Sequence, residues 1–185
     1  MTKEARTAPS PLEHFNTIPW CAELLADPSY HVLGNLSRTV TSGDGHSLMA
    51  ETWNTERTIS HLLSVYKPFD STTTQPGELR RLYTFGSGMN AHPNLLHGGV
   101  IATILDSTMG NAVGQQIPDL NSIFTVALNI TYKKPVSTPG TVVVRSWITK
   151  IEGARKVWVH GVIESGTGEV HALADGMWLI TKAKL

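Results

Sequence analysis

The chain has 185 residues, 41% apolar and 16% charged, with fifteen Lys and Arg balancing fifteen Asp and Glu. That length suits one domain with a core of its own, needing no disulfide or metal staple. The charge balance and the lack of a basic block argue against nucleic acid or an anionic membrane as main partner, and the single Cys21 excludes an internal disulfide and any paired-cysteine metal motif.

The start, Met1 to Pro11, is polar, with Lys3, Glu4 and Arg6. It lacks the apolar core of a secretory signal and the arginine-rich, acid-poor character of a mitochondrial presequence. A disordered terminus and a cytoplasmic location are expected, with the mitochondrion as the alternative. No apolar run reaches the roughly 20 residues of a bilayer span. Leu12 to Tyr30 carries the first helical signal: Pro19 opens a short helix through Trp20 to Leu25, closed before Asp27-Pro28. Gly34 to Gly45, rich in Ser, Thr, Asn and Gly, reads as a connector. Residues 1–45 are taken as an N-terminal extension lying over the domain 46–185, with Trp20 and Leu24 as packing residues.

His46 to Trp53 and Ile59 to Tyr66 have strand composition, the latter with a helical alternative, and Leu79 to Phe85 is a clearer strand. Ser71 to Gly77 is a polar turn or loop, and Gly86 to Asn94 is too rich in Gly and Pro for regular structure. A helix follows from about Gly98 to Gln115. Ile101, Ile104, Leu105, Thr108 and Ala112 form its buried stripe, and Val100, Met109 and Val113 widen it. A helix apolar around so much of its girth should be surrounded by protein. Ile123 to Tyr132 alternates, with Phe124, Val126, Leu128, Ile130 and Tyr132 on one face. Val142 to Ile151, Lys156 to Ser165 and Val170 to Thr181 continue in strand composition. The turns Ser137 to Gly140, Glu152 to Ala154 and Ser165 to Gly168 are short enough to join antiparallel neighbours. One long buried helix followed by an antiparallel meander is an α+β layout, with the sheet wrapped about the helix.

Gly86 to Ala91 matches a G-x-G-x-x-A dinucleotide pattern, but His92-Pro93 stops the helix which that mechanism requires. No His-x-x-x-His pair stands on a helix and no G-x-S-x-G occurs, so neither a zinc site nor a serine-hydrolase elbow is indicated. The run His97-Gly98-Gly99 through Asp106 is the richest in chemistry. A helix start presents unpaired N–H groups to an anion or developing oxyanion, and glycine lets a ligand approach them. Asp106, two turns on, is the only Asp, Glu, Lys or Arg between Arg81 and Asp119. Its neighbours Ile104, Leu105 and Met109 argue against full exposure, and a part-buried acid needs partners.

His97-Gly98-Gly99, Ala102, Asp106 and Gly110, then Leu128 through Pro135 and the turn Glu152 to Lys156, resemble the hotdog-fold acyl-CoA thioesterases. The likeness is greatest to the single-domain branch of phenylacetate-degradation-type and human thioesterase-superfamily proteins; Ile18 to Leu25 is similar to members with an N-terminal extension. The resemblance implies a curved antiparallel sheet around one central helix, and hydrolysis of an acyl-CoA to free acid and CoA without a metal or cofactor, in lipid metabolism. It makes Asp106 the general base or the nucleophile and the Gly99 N–H the oxyanion donor. His97 would shape the turn, and the Thr125 hydroxyl would lie near the acid. Many relatives carry Asn or Gln six residues before the motif histidine; here Ala91 stands there, with Asn90 and Asn94 nearby. Gly98 and Asn94 are assigned to the substrate, and Lys133, Lys134, Arg155 and Lys156 to the CoA phosphates.

The rival to hydrolysis is an acyl-CoA-binding or regulatory hotdog protein without turnover. A helix rises 1.5 Å per residue, so Gly99 and Asp106 lie about 10.5 Å apart along its axis, too far for one helix to supply both groups to one carbon. A homodimer, with a tetramer as the alternative, is expected to share its sites.

Overall fold

The computed structural model describes residues 10–72, 74–117, 122–153 and 155–181. The expected disordered start up to residue 9 and the turn residue Ala154 lie outside them.

Two short helices come first, α1 (Pro11–Asn16) and α2 (Pro19–Leu25). Seven strands then build one antiparallel sheet: β1 (His31–Leu33), β2 (Ile59–Lys67), β3 (Glu78–Phe85), β6 (Ser122–Tyr132), β7 (Gly140–Glu152), β8 (Lys156–Glu164) and β9 (Val170–Thr181). Their spatial order is β1-β2-β3-β7-β8-β9-β6. A hairpin of β4 (Asn90–His92) and β5 (Leu95–Leu96) leads into the long helix α3 (Gly98–Gln116).

α3 lies against β3, β6, β7, β8 and β9. Ile104, Leu105, Met109 and Val113 are all fully buried in the main core, with Leu62, Tyr83, Val142 and Val144 from the sheet. Each large side chain so buried contributes roughly 1.5–3 kcal/mol. Glycine permits the closest approach: a Cβ on Gly161 would stand 2.7 Å from Met109 Sδ. Successive strand residues face opposite ways, so Leu63, Leu82 and Val143 point to the other face. There Phe15 and Cys21 of the two front helices cover them, with Trp20 and Leu24 packed alongside.

Several elements depart from expectation. His46 to Trp53 is not a strand: Leu48–Thr52 forms a π-helical turn. Leu, Met, Ala and Glu favour helix there, and the Arg38 guanidinium binds the carbonyl oxygens of Met49 and Trp53. α1 falls largely in the Leu12 to Tyr30 stretch with helical signal but is a separate helix, not the one opened by Pro19; it has a capping box in which Ser10 and Glu13 satisfy each other's backbone N–H. Gly86 to Asn94 is more regular than expected, with a 3-10 turn at Ser87–Met89 before β4. A Cβ on Gly86 would meet the Glu56 carbonyl at 2.2 Å, so that glycine serves backbone packing.

The last four strands are not a plain meander, because β6 pairs with β9 and not with β7. Its apolar alternation is also broken. A bulge between Thr125 and Ala127 turns Ile123, Leu128 and Ile130 toward the core and leaves Phe124 and Val126 more than half exposed. The boundary drawn at residue 45 cuts through the sheet, since β1 is its first strand and pairs with β2.

Candidate active site

The start of α3 is built by His97. Its backbone is extended (φ −65°, ψ 135°), and its Nδ1 accepts the Gly99 N–H at 2.8 Å, so the side chain caps its own helix. The ring therefore carries its proton on Nε2 in this geometry. A Cβ on Gly99 would sit 3.0 Å from that Nδ1, which is why glycine follows the capping ring. The Gly98 carbonyl accepts the Tyr132 hydroxyl at 3.0 Å, while no hydrogen-bond partner of the Gly98 N–H occurs among the described residues. Of the two N–H groups at this turn, the expected donor of Gly99 is engaged and that of Gly98 is open.

Asp106 stands half-buried at the edge of α3's apolar girth. Thr125 Oγ1, immediately before the β6 bulge, donates to its Oδ1 at 2.7 Å. Oδ2 accepts no hydrogen bond among the described residues. The carboxylate opens onto a cleft of about 340 Å³. Ser107, Asn111 and Gly114 extend one wall along α3, and Trp178 and Ile123 form an apolar wall opposite.

The expected site residues fall into two groups. Asp106 and Thr125 lie at one end of the sheet, where Thr125 pairs with Trp178 of β9. Arg155 and Lys156 are near that end: Lys156 pairs with Leu179, and both basic residues line a second cleft with Leu179. His97, Gly98 and Gly99 lie at the other end with Tyr132. Lys133 and Lys134 follow there, their N–H groups bonded to the His171 carbonyl. Strand rise is about 3.3 Å per residue, so the eight steps from His171 to Leu179 separate the two basic pairs by roughly 26 Å. Within one subunit the four cations are not brought together. Lys134 is also paired with Glu169. Asn94, at positive φ on the tip of the β4–β5 hairpin, uses its carbonyl to hold Thr138; its side chain makes no hydrogen bond among the described residues. Asn90 accepts the Thr138 hydroxyl.

One residue in the cleft went unremarked in the sequence. Arg81 lines it and is only 2% exposed. The signal was parity: Leu79, Arg81, Tyr83 and Phe85 alternate along β3, and Tyr83 and Phe85 belong to the main core.

Among the described residues no group of three or more His, Cys, Asp or Glu is placed to hold a metal ion, and no helix is long and apolar enough to cross a membrane.

Residues 93–171 match the family model of the thioesterase superfamily. The acyl-coenzyme A thioesterase THEM4 of Mus musculus is 42% identical over 91 residues, a stretch that covers 48% of this chain and 37% of the mouse protein. The chain thus spans little more than a third of that relative's length. Among solved structures, a Bacillus halodurans protein crystallised with CoA is 33% identical, with a TM-score of 0.50 over 56% of this chain and 66% of that one. The E. coli PaaI protein of the phenylacetic acid degradation operon shares the fold at 18% identity, with a TM-score of 0.51 over 57% of this chain and 74% of its own. The long helix against one antiparallel sheet is a hotdog fold.

Proposed function

We propose that this chain is an acyl-CoA thioesterase whose sites are completed by two copies of the chain. The observation that carries this is Asp106: one half-buried carboxylate held by Thr125 at 2.7 Å, with its second oxygen open to a cleft. It lies inside the segment that matches the thioesterase superfamily.

Asp106 Oδ2 takes a proton from a water as that water's oxygen adds to the thioester carbon. The oxyanion then collapses, the C–S bond breaks, and CoA leaves as the thiolate that takes up a proton. The same oxygen can instead attack the carbon directly, giving an anhydride that water opens. In either case the oxyanion needs N–H donors. Gly98 offers one without rearrangement, and Gly99 offers another once the His97 ring turns away from it. These donors lie about 10.5–12 Å along α3 from Asp106, so they serve the carboxylate of a second subunit. β6, at the sheet edge with Phe124 and Val126 exposed, is the surface for that pairing. A two-fold axis across β6 carries Lys133 and Lys134 of one subunit toward the Arg155–Lys156 end of the other, a combined cradle for CoA phosphates.

A second possibility, acyl-CoA binding without turnover, draws on the capping of the Gly99 N–H by His97. A panel of short, medium, long and aryl acyl-CoAs, followed by release of the CoA thiol, separates the two. Turnover on at least one ester supports the hydrolase, and tight binding with no thiol release sinks it. Rising salt should weaken CoA binding as the phosphate contacts are screened; a salt-independent Michaelis constant removes these four cations from the site.

A further inference from the structure

The cleft beside Asp106 contains a charge that hydrolysis does not use. Arg81 is buried to 2% exposure, yet forms no salt bridge among the described residues. Its Nε donates to Ser64 Oγ at 3.0 Å, and Nη1 donates to Ser107 Oγ at 2.9 Å and to the Ser107 carbonyl at 3.4 Å. All three acceptors are neutral. The Ser64 hydroxyl donates onward to Asn35 Oδ1 at 2.7 Å, so the guanidinium is fixed in place from behind. On the far side of the sheet the pattern is different: Arg80 and Arg145 both pair with Glu78. Arg38 nearby is also without a carboxylate, its nitrogens bound to the carbonyls of Met49, Trp53 and Ile59. Burial and the neighbouring Arg81 both disfavour its charged form.

A buried ion costs several kcal/mol unless an opposite charge meets it. The cleft supplies room for one. Its lining includes the polar Arg81, Ser107 and Asn111 and the apolar Ile123 and Trp178. Asp106 is its only lining acid among the described residues and is occupied with Thr125 at one oxygen. Resting on the thioesterase assignment above, we infer that this cleft selects acyl groups whose far end carries a carboxylate, received by the Arg81 guanidinium while the methylene stem lies against Trp178. Arg81 is anchored on Ser107, the residue after Asp106, and it lines the same cleft as the reacting group. Because both charges line one cleft, the acyl groups expected to fit are short dicarboxylic ones, and glutaryl and adipoyl thioesters are taken as the probes.

The test compares esters matched in carbon number: glutaryl- with pentanoyl-CoA and adipoyl- with hexanoyl-CoA, each corrected for spontaneous hydrolysis. The expected result is a kcat/KM at least about tenfold higher for the acid-ended member, carried by KM. Arg81→Met should bring the ratio to about one by raising KM for the acid-ended ester about tenfold more than for the plain ester. Equal or better turnover of the plain esters by the wild-type protein overturns the inference. So does an Arg81→Met protein that slows both esters alike with the ratio intact, which would make Arg81 a support for Asp106. Because Arg81 is buried and its variant can fail to fold, wild-type binding of two non-hydrolysable thioethers gives an independent measure. S-(5-carboxypentyl)-CoA should bind about tenfold tighter than S-hexyl-CoA, and equal affinity refutes the proposal. If no thioester in the set or the wider panel is cleaved but the carboxylated thioether binds tighter, the hydrolase assignment falls and the carboxylate site stands.

Discussion

Asp106 has one oxygen tied to Thr125 and one that accepts no hydrogen bond among the described residues, so the roles proposed for the two residues can be tested separately. Asp106→Asn keeps the volume and removes the base or nucleophile; turnover should fall at least about a hundredfold while the melting temperature stays close to wild type. Near-wild-type hydrolysis by that variant would dismiss Asp106 from the chemistry. Thr125→Val removes only the hydrogen bond that orients the carboxylate, so a loss nearer tenfold, in kcat and not in KM, is expected; an unchanged kcat would show that the bond has no catalytic value. Asp106 was legible in the sequence because it is the lone acid in a long apolar stretch, where burying an ion needs a reason. Arg81 was equally legible by strand parity, yet it stands beside Arg80 in a strand that otherwise looks ordinary. The capping of Gly99 by His97 was not legible: it depends on a side-chain rotamer that spacing leaves open.

At the level of elements, Glu78 of β3 holds one face of the sheet together. Burial would raise its pKa, but hydrogen bonds and charge from Arg145 and Arg80 outweigh that and hold it below the usual carboxylate value of 4.5. A carboxyl depressed in the folded state adds stability that is present above the unfolded pKa and lost as pH falls through the folded value. Denaturant midpoints should therefore drop as the protein is acidified below about pH 4.5. Glu78→Gln should cost about 1–3 kcal/mol at neutral pH and flatten that part of the acid profile. A variant whose acid profile superimposes on wild type would assign the loss to other carboxylates. The sequence patterns that persisted over many residues, α3 and the long strands, were legible because apolar periodicity is set by the core they face. Where it misled, a local device intervened. The β6 bulge reverses a face within two residues, and Arg38 gathers the carbonyls of a turn whose composition had suggested a strand. α1 left a readable capping box at Ser10 and Glu13, passed over because six residues are too few for periodicity to register.

For the whole molecule the separation of the site into two ends is the decisive geometry. Thr125 binds Asp106 near one end of β6, and Tyr132 binds Gly98 at the other. A single copy therefore holds a carboxylate without oxyanion donors beside it, and donors without a carboxylate. In the proposed assembly, an isologous pair related across β6 would supply each half-site with its complement and make two equivalent sites. This yields a prediction that a self-contained site does not share. Asp106→Ala leaves the donors intact, and Gly99→Pro removes an N–H and the His97 cap but leaves the carboxylate intact. Asp106→Ala alone should be inactive, and Gly99→Pro alone, keeping only the Gly98 N–H, should be severely impaired. Mixed after subunit exchange, with heterodimers isolated by differential tags, they should regain about half the wild-type activity per dimer, because one site receives both native halves. Salt should weaken CoA binding to these heterodimers as it does to wild type, since neither substitution touches the basic residues. If verified heterodimers of folded subunits stay inactive, or if the active wild-type species sediments as a monomer, the catalytic carbon must be served within one chain. α3 would then have to be rearranged from the geometry described here.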